Sequence, residues 1–327
     1  MVIMTAAIVA CGTDRHHFQL EGRFLKMNMG EFYVYSPDGM MAGVDTIHVK
    51  GGRFAYEIPC EHEGTIVIVL PNFSELPVFV KPGKSVDMKA DASHIKDIEI
   101  TGTDENDRMT EWRKSIDGMS PPDQRKQAED FIRKNPQTIM AQWLLRKFFL
   151  QITDADLKKA NELMKVIESA GNKSASLSHL AEGLQRVAQA GKGDKLPTFS
   201  VTDIYGKKVS SADLMSGKAI ILVGAAWNYD AINQRHTVEY KLKKAKEEGH
   251  GGAKIITISL DASDKITRNR LRNDSIPWPV VCDGKMWDSP LVKTLGISSI
   301  PDNIIVNNGK IIGRHLSTDD VVKELEK

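Results

Sequence analysis

Apolar and polar residues alternate along residues 18–101. Phe18, Leu20 and Phe24 fall on one face at a spacing of two. Residues 32–35 are aromatic and β-branched, and the turn Pro37-Asp38-Gly39 follows them. Residues 44–50 and 53–58 flank Gly51-Gly52, which predicts a two-residue hairpin. Residues 65–70 form an unbroken apolar run. Residues 78–80 and 86–88 flank the turn Lys81-Pro82-Gly83-Lys84, and Ile98 and Ile100 close the set before Gly102. Short strands at regular spacing predict a small antiparallel β-sandwich or barrel over residues 18–103.

The period changes after residue 104. Asn135-Pro136 reads as a helix start, followed by a stripe of Ile139, Trp143, Leu144 and Phe148. Thr153-Asp154 reads as the cap of a second helix carrying Leu157, Leu163, Met164 and Ile167, which stops near Gly171-Asn172. Leu177, Leu180, Leu184 and Val187 make a third stripe, ended by Gly191-Lys192-Gly193. Stripes of this kind are packing surface, so residues 104–192 read as a helical connector. From residue 193 onward strand and helix signals alternate, the pattern of an α/β domain with a parallel component. Buried strands are predicted at 219–226 and 254–260, and helices at 232–248 and 264–273. A hairpin surrounds Asn307-Asn308-Gly309, and Thr318 reads as the cap of a last helix. The whole is an α+β chain of two domains joined by helices.

Length agrees with two domains, since the chain has 327 residues. Lys and Arg number 44 against 43 Asp and Glu, which gives no reason to expect nucleic acid as a partner. No run approaches the roughly 20 apolar residues that span a bilayer. The three cysteines are Cys11, Cys60 and Cys282, and none forms a C-x-x-C pair. Cys60 and Cys282 lie in different predicted domains and read as two isolated buried thiols. The separate His16-His17 and His94 lack metal-ligand spacing, so no metal is expected.

The short apolar run before Cys11 ends in Ile8-Val9-Ala10-Cys11, which resembles the lipobox of bacterial lipoproteins. In that family the signal is cleaved and the cysteine carries lipid. The resemblance implies lipidation at Cys11 and a signal and tether over residues 1–17. It implies a periplasm-facing protein of the bacterial cell envelope, held to the membrane by lipid. The positive segment that usually opens such a signal is missing, and the same run also reads as a first strand or a frayed terminus.

Two further resemblances follow from motifs. The segment 48–54, then 79–83, then Thr101-Gly102-Thr103 with Asn106, resembles an uncharacterised β-domain that precedes thioredoxin-like domains in envelope lipoproteins. Residues 194–327 resemble the membrane-anchored thiol-disulfide oxidoreductases of the thioredoxin superfamily. The pieces are Leu196-Pro197-Thr198-Phe199 with Asp203 and Gly206, Ser216-Gly217-Lys218, Ala225-Ala226-Trp227, Ile300-Pro301 and residues 308–312. The resemblance implies a cis-proline at Pro301 and a substrate groove beside it.

The chain departs from that family where its chemistry lies. The family expects Cys-x-x-Cys after Trp227, and this chain has Asn228-Tyr229-Asp230-Ala231. Thiol exchange needs a thiolate at a helix N-terminus, and neither an amide nor a methyl group can supply one. Asn is among the best helix caps and Asp suits a first turn, so both residues fit a helix start without chemistry. No catalytic residue and no cofactor are therefore expected. The expected role is a non-catalytic binding or structural module. Trp227, Tyr229, Ile300 and Pro301 are its candidate binding residues, and an envelope protein or extended peptide is its partner. The alternative is an oxidoreductase acting through Cys282 or a partner's thiol. Arg235, His236 and Glu239 share a helix face that reads as solvated.

Overall fold

The alternating segments of the N-terminal part pair into one sheet. In this computed structural model, which describes residues 14–326 apart from 71, 73, 153–155, 172, 227, 248–252 and 273–275, eight strands form it. They are β1 (His17–Leu25), β2 (Met29–Tyr35), β3 (Val44–Lys50), β4 (Arg53–Pro59), β5 (Gly64–Val69), β6 (Glu75–Val80), β7 (Ser85–Asp91) and β8 (Glu99–Thr101). Their order among the described residues is β6-β5-β2-β3-β4-β1-β7-β8. Neighbours run antiparallel with one exception: β1 and β7 are parallel. That pair is possible because five intervening strands provide the long crossover that parallel pairing needs. Phe18, Leu20, Phe32 and Val34 are completely buried inside the curve of the sheet. The rings of Phe24 and Phe32 approach to 4.9 Å between centroids at its centre.

The curve nearly closes into a barrel, and a helix fills the seam. Helix α1 (Asp104–Ser115) lies over both edge strands. The buried amide of Asn106 accepts from the Phe79 N–H at 2.9 Å and donates to the Phe79 carbonyl at 2.7 Å. It thus imitates a neighbouring strand at β6. The Thr110 hydroxyl does the same at β8, donating to the Ile100 carbonyl at 2.8 Å and accepting from its N–H at 3.0 Å.

The helical part continues with α2 (Pro121–Lys134), α3 (Ile139–Leu145), α4 (Leu157–Ser169) and α5 (Ala175–Gln189). A π-helical turn, Arg146–Leu150, prolongs α3. The expected starts are displaced. Asn135 ends α2 rather than opening α3, because the hydroxyl of Thr138 caps α3 by accepting from Ala141 N–H at 3.2 Å. Asp156 caps α4 through Lys159 N–H at 3.0 Å, whereas Thr153 and Asp154 lie outside the described residues.

In the C-terminal part a hairpin, β9 (Ser200–Thr202) and β10 (Lys208–Ser210), leads into β11 (Lys218–Gly224), α6 (Tyr229–Glu247), β12 (Lys254–Ser259) and α7 (Asp264–Leu271). Then come β13 (Val280–Val281), α8 (Pro290–Thr294), β14 (Asp302–Asn307), β15 (Lys310–Arg314) and α9 (Thr318–Glu326). The five-stranded sheet has the order β13-β12-β11-β14-β15. β11, β12 and β13 are mutually parallel, and β14 and β15 are antiparallel to their neighbours. Alternation along β11 serves both faces. Ile221 and Val223 pack towards Leu291 and Val292 of α8, and Ile220 and Leu222 towards Val238 of α6 and Val321 of α9. The expected cap Thr318 is the first helical residue. Ser317 caps α9 instead, accepting from Asp320 N–H at 3.2 Å.

One carboxylate ties the three parts together. Glu75 of β6 accepts from Tyr35 Oη at 2.9 Å, from Lys147 Nζ at 2.7 Å and from Trp287 Nε1 at 3.0 Å. Burial alone would raise its pKa. The Lys147 charge, with the three donors, instead holds it below the ordinary value of 4.5.

Candidate functional site

The candidate site forms where β11 ends and α6 begins. A parallel strand–helix–strand unit turns there by necessity, and the helix presents its free N–H groups to the turn. Asn228 spends its side chain on this turn. Its Oδ1 accepts from Ala231 N–H at 2.7 Å, and its carbonyl accepts from Ile232 N–H at 3.0 Å. It is the helix cap, as its residue type predicts. Tyr229 projects outward and is 76% exposed. Ala231 turns back against the end of β11, so closely that a Cβ on Gly224 would lie 2.4 Å from its methyl carbon.

The turn is pinned from below by Asp261, which follows β12 and is almost wholly buried. Its Oδ1 accepts from Ala226 N–H at 2.9 Å. Its Oδ2 accepts from the hydroxyls of Ser259 and Thr267, both at 2.7 Å. Sequence reading passed over Asp261. The signal was present as an acidic residue ending an apolar strand run, beside the serine that donates to it.

The register of β11 against β14 brings the second half of the site to the same end of the sheet. Val223 pairs with Asp302, so the segment Ile300-Pro301 lies opposite Gly224 and Ala225. The Ile300–Pro301 bond is cis. Asp302 is fixed beneath it by Arg314, whose Nη2 lies 3.2 Å from Asp302 Oδ2 with both groups buried. The same guanidinium donates to the carbonyls of Ala190 and Gly296, each at 2.6 Å. Among the described residues no backbone hydrogen bond engages Ile300.

The structure thus gathers Asn228, Tyr229, Ala231, Ile300 and Pro301 at one end of the sheet. Trp227 and Cys11 lie outside the described residues. Cys60 and Cys282 are free thiols. Burial, reinforced by the neighbouring Glu61 charge, pushes the Cys60 thiol up to about 11. Burial likewise raises Cys282, whose sulfur lies 3.6 Å from the Asp261 carbonyl. Neither has the electropositive setting that makes a thiol reactive. The solvated face expected at Arg235 is not what forms: Arg235 is buried, with Nη2 3.2 Å from the ring nitrogen of His236. Among the described residues no group of His, Cys, Asp and Glu is placed to hold a metal ion. None of the described helices is long and apolar enough to cross a membrane.

Residues 18–109 match the family described as Domain of unknown function (DUF4369). The C-terminal part is similar to Thiol-disulfide oxidoreductase ResA of Bacillus thuringiensis subsp. konkukian (strain 97-27). Identity is 26% over 137 residues, covering 41% of this chain and 75% of that protein. ResA of Bacillus cereus (strain ATCC 10987 / NRS 248) gives the same 26% over 137 residues, with the same coverage. The C-terminal part is a thioredoxin-like domain.

Two solved structures resemble parts of this chain. A thiol-disulfide oxidoreductase from Bacteroides fragilis NCTC 9343 is 23% identical, with 41% of this chain and 98% of that chain covered and a TM-score of 0.35. A thioredoxin-like protein from Bacteroides caccae ATCC 43185 is 13% identical, with 62% and 77% covered and a TM-score of 0.43. The thioredoxin-like domain keeps the strand–turn–helix at Asn228 and the proline loop at Pro301, and it lacks a cysteine at either position of the expected pair.

Proposed function

We propose that the thioredoxin-like domain is a non-catalytic module that binds an extended segment of a partner protein beside Ile300. The observation that carries this reading is the pairing of two facts. Asn228 is consumed as a helix cap, with its oxygen on Ala231 N–H at 2.7 Å, and the turn carries no thiol. The Ile300 backbone, in contrast, keeps its hydrogen-bonding groups unclaimed by the described residues. An extended peptide that lies along this backbone gains main-chain hydrogen bonds without any thiol chemistry. The exposed ring of Tyr229 gives such a peptide apolar contact. Lipid on Cys11 would hold the module at an envelope membrane, where its partner is then an envelope protein.

A peptide array probed with the full chain tests this reading. Binding of extended segments that weakens about tenfold on Tyr229→Ala supports it. Binding indifferent to that change, or none, overturns it. The oxidoreductase alternative draws no support from Cys282, whose thiol is partly buried and raised rather than activated.

A further inference from the structure

A small cavity lies where the β-barrel, the helical connector and the thioredoxin-like domain meet, away from the Asn228 turn. Its volume is about 80 Å³. That gives room for about six water-sized groups. The π-helical turn brings Arg146 to its wall, α5 brings His179, and the loop that leads to Pro301 brings Ser298. Gln151, which closes the π-helical turn with its N–H on the Arg146 carbonyl at 2.8 Å, completes the polar lining. Turns of this type recur at functional sites because they re-aim side chains that a regular helix would point elsewhere.

These polar groups are orphans. The Ser298 hydroxyl is buried, in a residue only 7% exposed, and has no hydrogen-bond partner. The Gln151 side-chain oxygen is buried and unpartnered as well. The Arg146 guanidinium makes no hydrogen bond or ion pair with any described residue, and burial lowers its pKa although the Asp38 carboxylate lies near it. Buried polar groups are nearly always satisfied, so two of them beside one cavity, with a guanidinium at its wall, mark a polar guest. A guanidinium presents five donors and no acceptor, so the guest must bring acceptor oxygens, and a planar pair of them fits the fork.

The surrounding charges have been assigned elsewhere. Asp38 accepts from the Ser36 hydroxyl at 2.7 Å and from Thr65 N–H at 2.9 Å. Asp288 is paired with Lys293, and Glu182 holds Arg186 at 2.9 Å. Arg186, Asp288 and Lys293 also line an adjoining open groove of about 720 Å³, to which Lys285 adds a further cation. An anion entering by that groove meets more positive than negative side chains.

We propose that this cavity holds one short-chain organic carboxylate, its oxygens on the Arg146 guanidinium and a second polar group on Ser298 or Gln151. A hydroxycarboxylate such as lactate satisfies both halves of that description, since its hydroxyl can donate to Gln151 while its carboxylate faces Arg146.

Calorimetric titration of the full chain with lactate, acetate, the neutral analogue lactamide and inorganic phosphate tests this. The expected result is saturable binding of one lactate or acetate per chain, with lactamide at least about tenfold weaker. Arg146→Gln removes the binding. Ser298→Ala, which deletes a single hydroxyl and leaves the fold intact, weakens lactate about threefold or more. Absence of saturable heat at millimolar lactate and acetate overturns the proposal, because the cavity then holds water alone. Lactamide binding as tightly as lactate, or phosphate binding tighter than either carboxylate, overturns it equally. Should Arg146→Gln fail to fold, the lactamide and Ser298→Ala arms decide the matter by themselves.

Discussion

Trp287 donates its indole N–H to the Glu75 carboxylate, 3.0 Å away and 212 residues earlier in the chain. The bond crosses from the thioredoxin-like domain to the barrel, and Lys147 meets the same carboxylate from the connector. Trp287→Phe keeps an aromatic ring and deletes the donor. It should cost about 2 kcal/mol, the value of a hydrogen bond to a charged acceptor, measured by urea denaturation. The pH dependence has a definite sign. The folded carboxylate titrates below 4.5 and the unfolded one near it, so the stability it confers is complete above that value. It is lost as pH falls through the folded value. Glu75→Gln should flatten that acid limb; an unchanged limb would show that other carboxylates govern it.

The barrel seam gives a second expectation. Asn106→Leu keeps the volume of the side chain but abandons both the N–H and the carbonyl of Phe79. Two buried backbone groups left unpaired should cost about 2–4 kcal/mol. Thr110→Val, which likewise abandons the N–H and the carbonyl of Ile100, should cost about as much. Equal stability of the parent and Asn106→Leu in chemical denaturation would contradict the role assigned to the amide.

The thiols should be silent in the native protein. A water-soluble disulfide reagent at neutral pH should leave Cys60 and Cys282 unmodified until denaturant is added. Cys60 also predicts an alkaline effect. Between its ordinary value of 9.0 and about 11 the unfolded thiol ionises while the buried one does not, so stability falls over that window. Cys60→Ala should remove this contribution.

Restoring the missing pair tests whether the helix start alone can activate a thiol. Asn228→Cys with Ala231→Cys should reduce insulin disulfides above the background given by the parent chain, since the free N–H groups of α6 stabilise a thiolate. Turnover by the unaltered chain that survives Cys282→Ser would reveal chemistry that the Asn228 turn does not explain.

Much of this was legible in the residues. Period-two alternation located the barrel strands, and Gly51-Gly52 fixed one hairpin, because each signal is local. The Asn228 cap was legible for the same reason. Helix α2 escaped notice because only Ala128 and Ile132 of its side chains are fully buried, too few to make a stripe. Asn135-Pro136 misled because a hydroxyl at Thr138 was equally available and better placed. Glu75 gave no warning at all: its partners Tyr35, Lys147 and Trp287 are distant in sequence, and only packing unites them. Ser298 and Arg146 were hidden similarly, on two separate segments of chain that meet at one cavity.

The way the sheets are finished bears on how copies of this chain behave in a crowd. A free strand margin is adhesive, since its backbone groups will accept any other extended chain. Here Asn106 occupies β6 and Thr110 occupies β8. On the five-stranded sheet, Gly193 and Asp194 bond to Ile311 beside β15, and Ile204 N–H bonds to the Val280 carbonyl of β13. Each margin is bonded to a segment of its own chain. Molecules packed side by side, even at high density, therefore meet margins that are partly engaged by their own chain, which leaves fewer rungs for a ladder running from copy to copy.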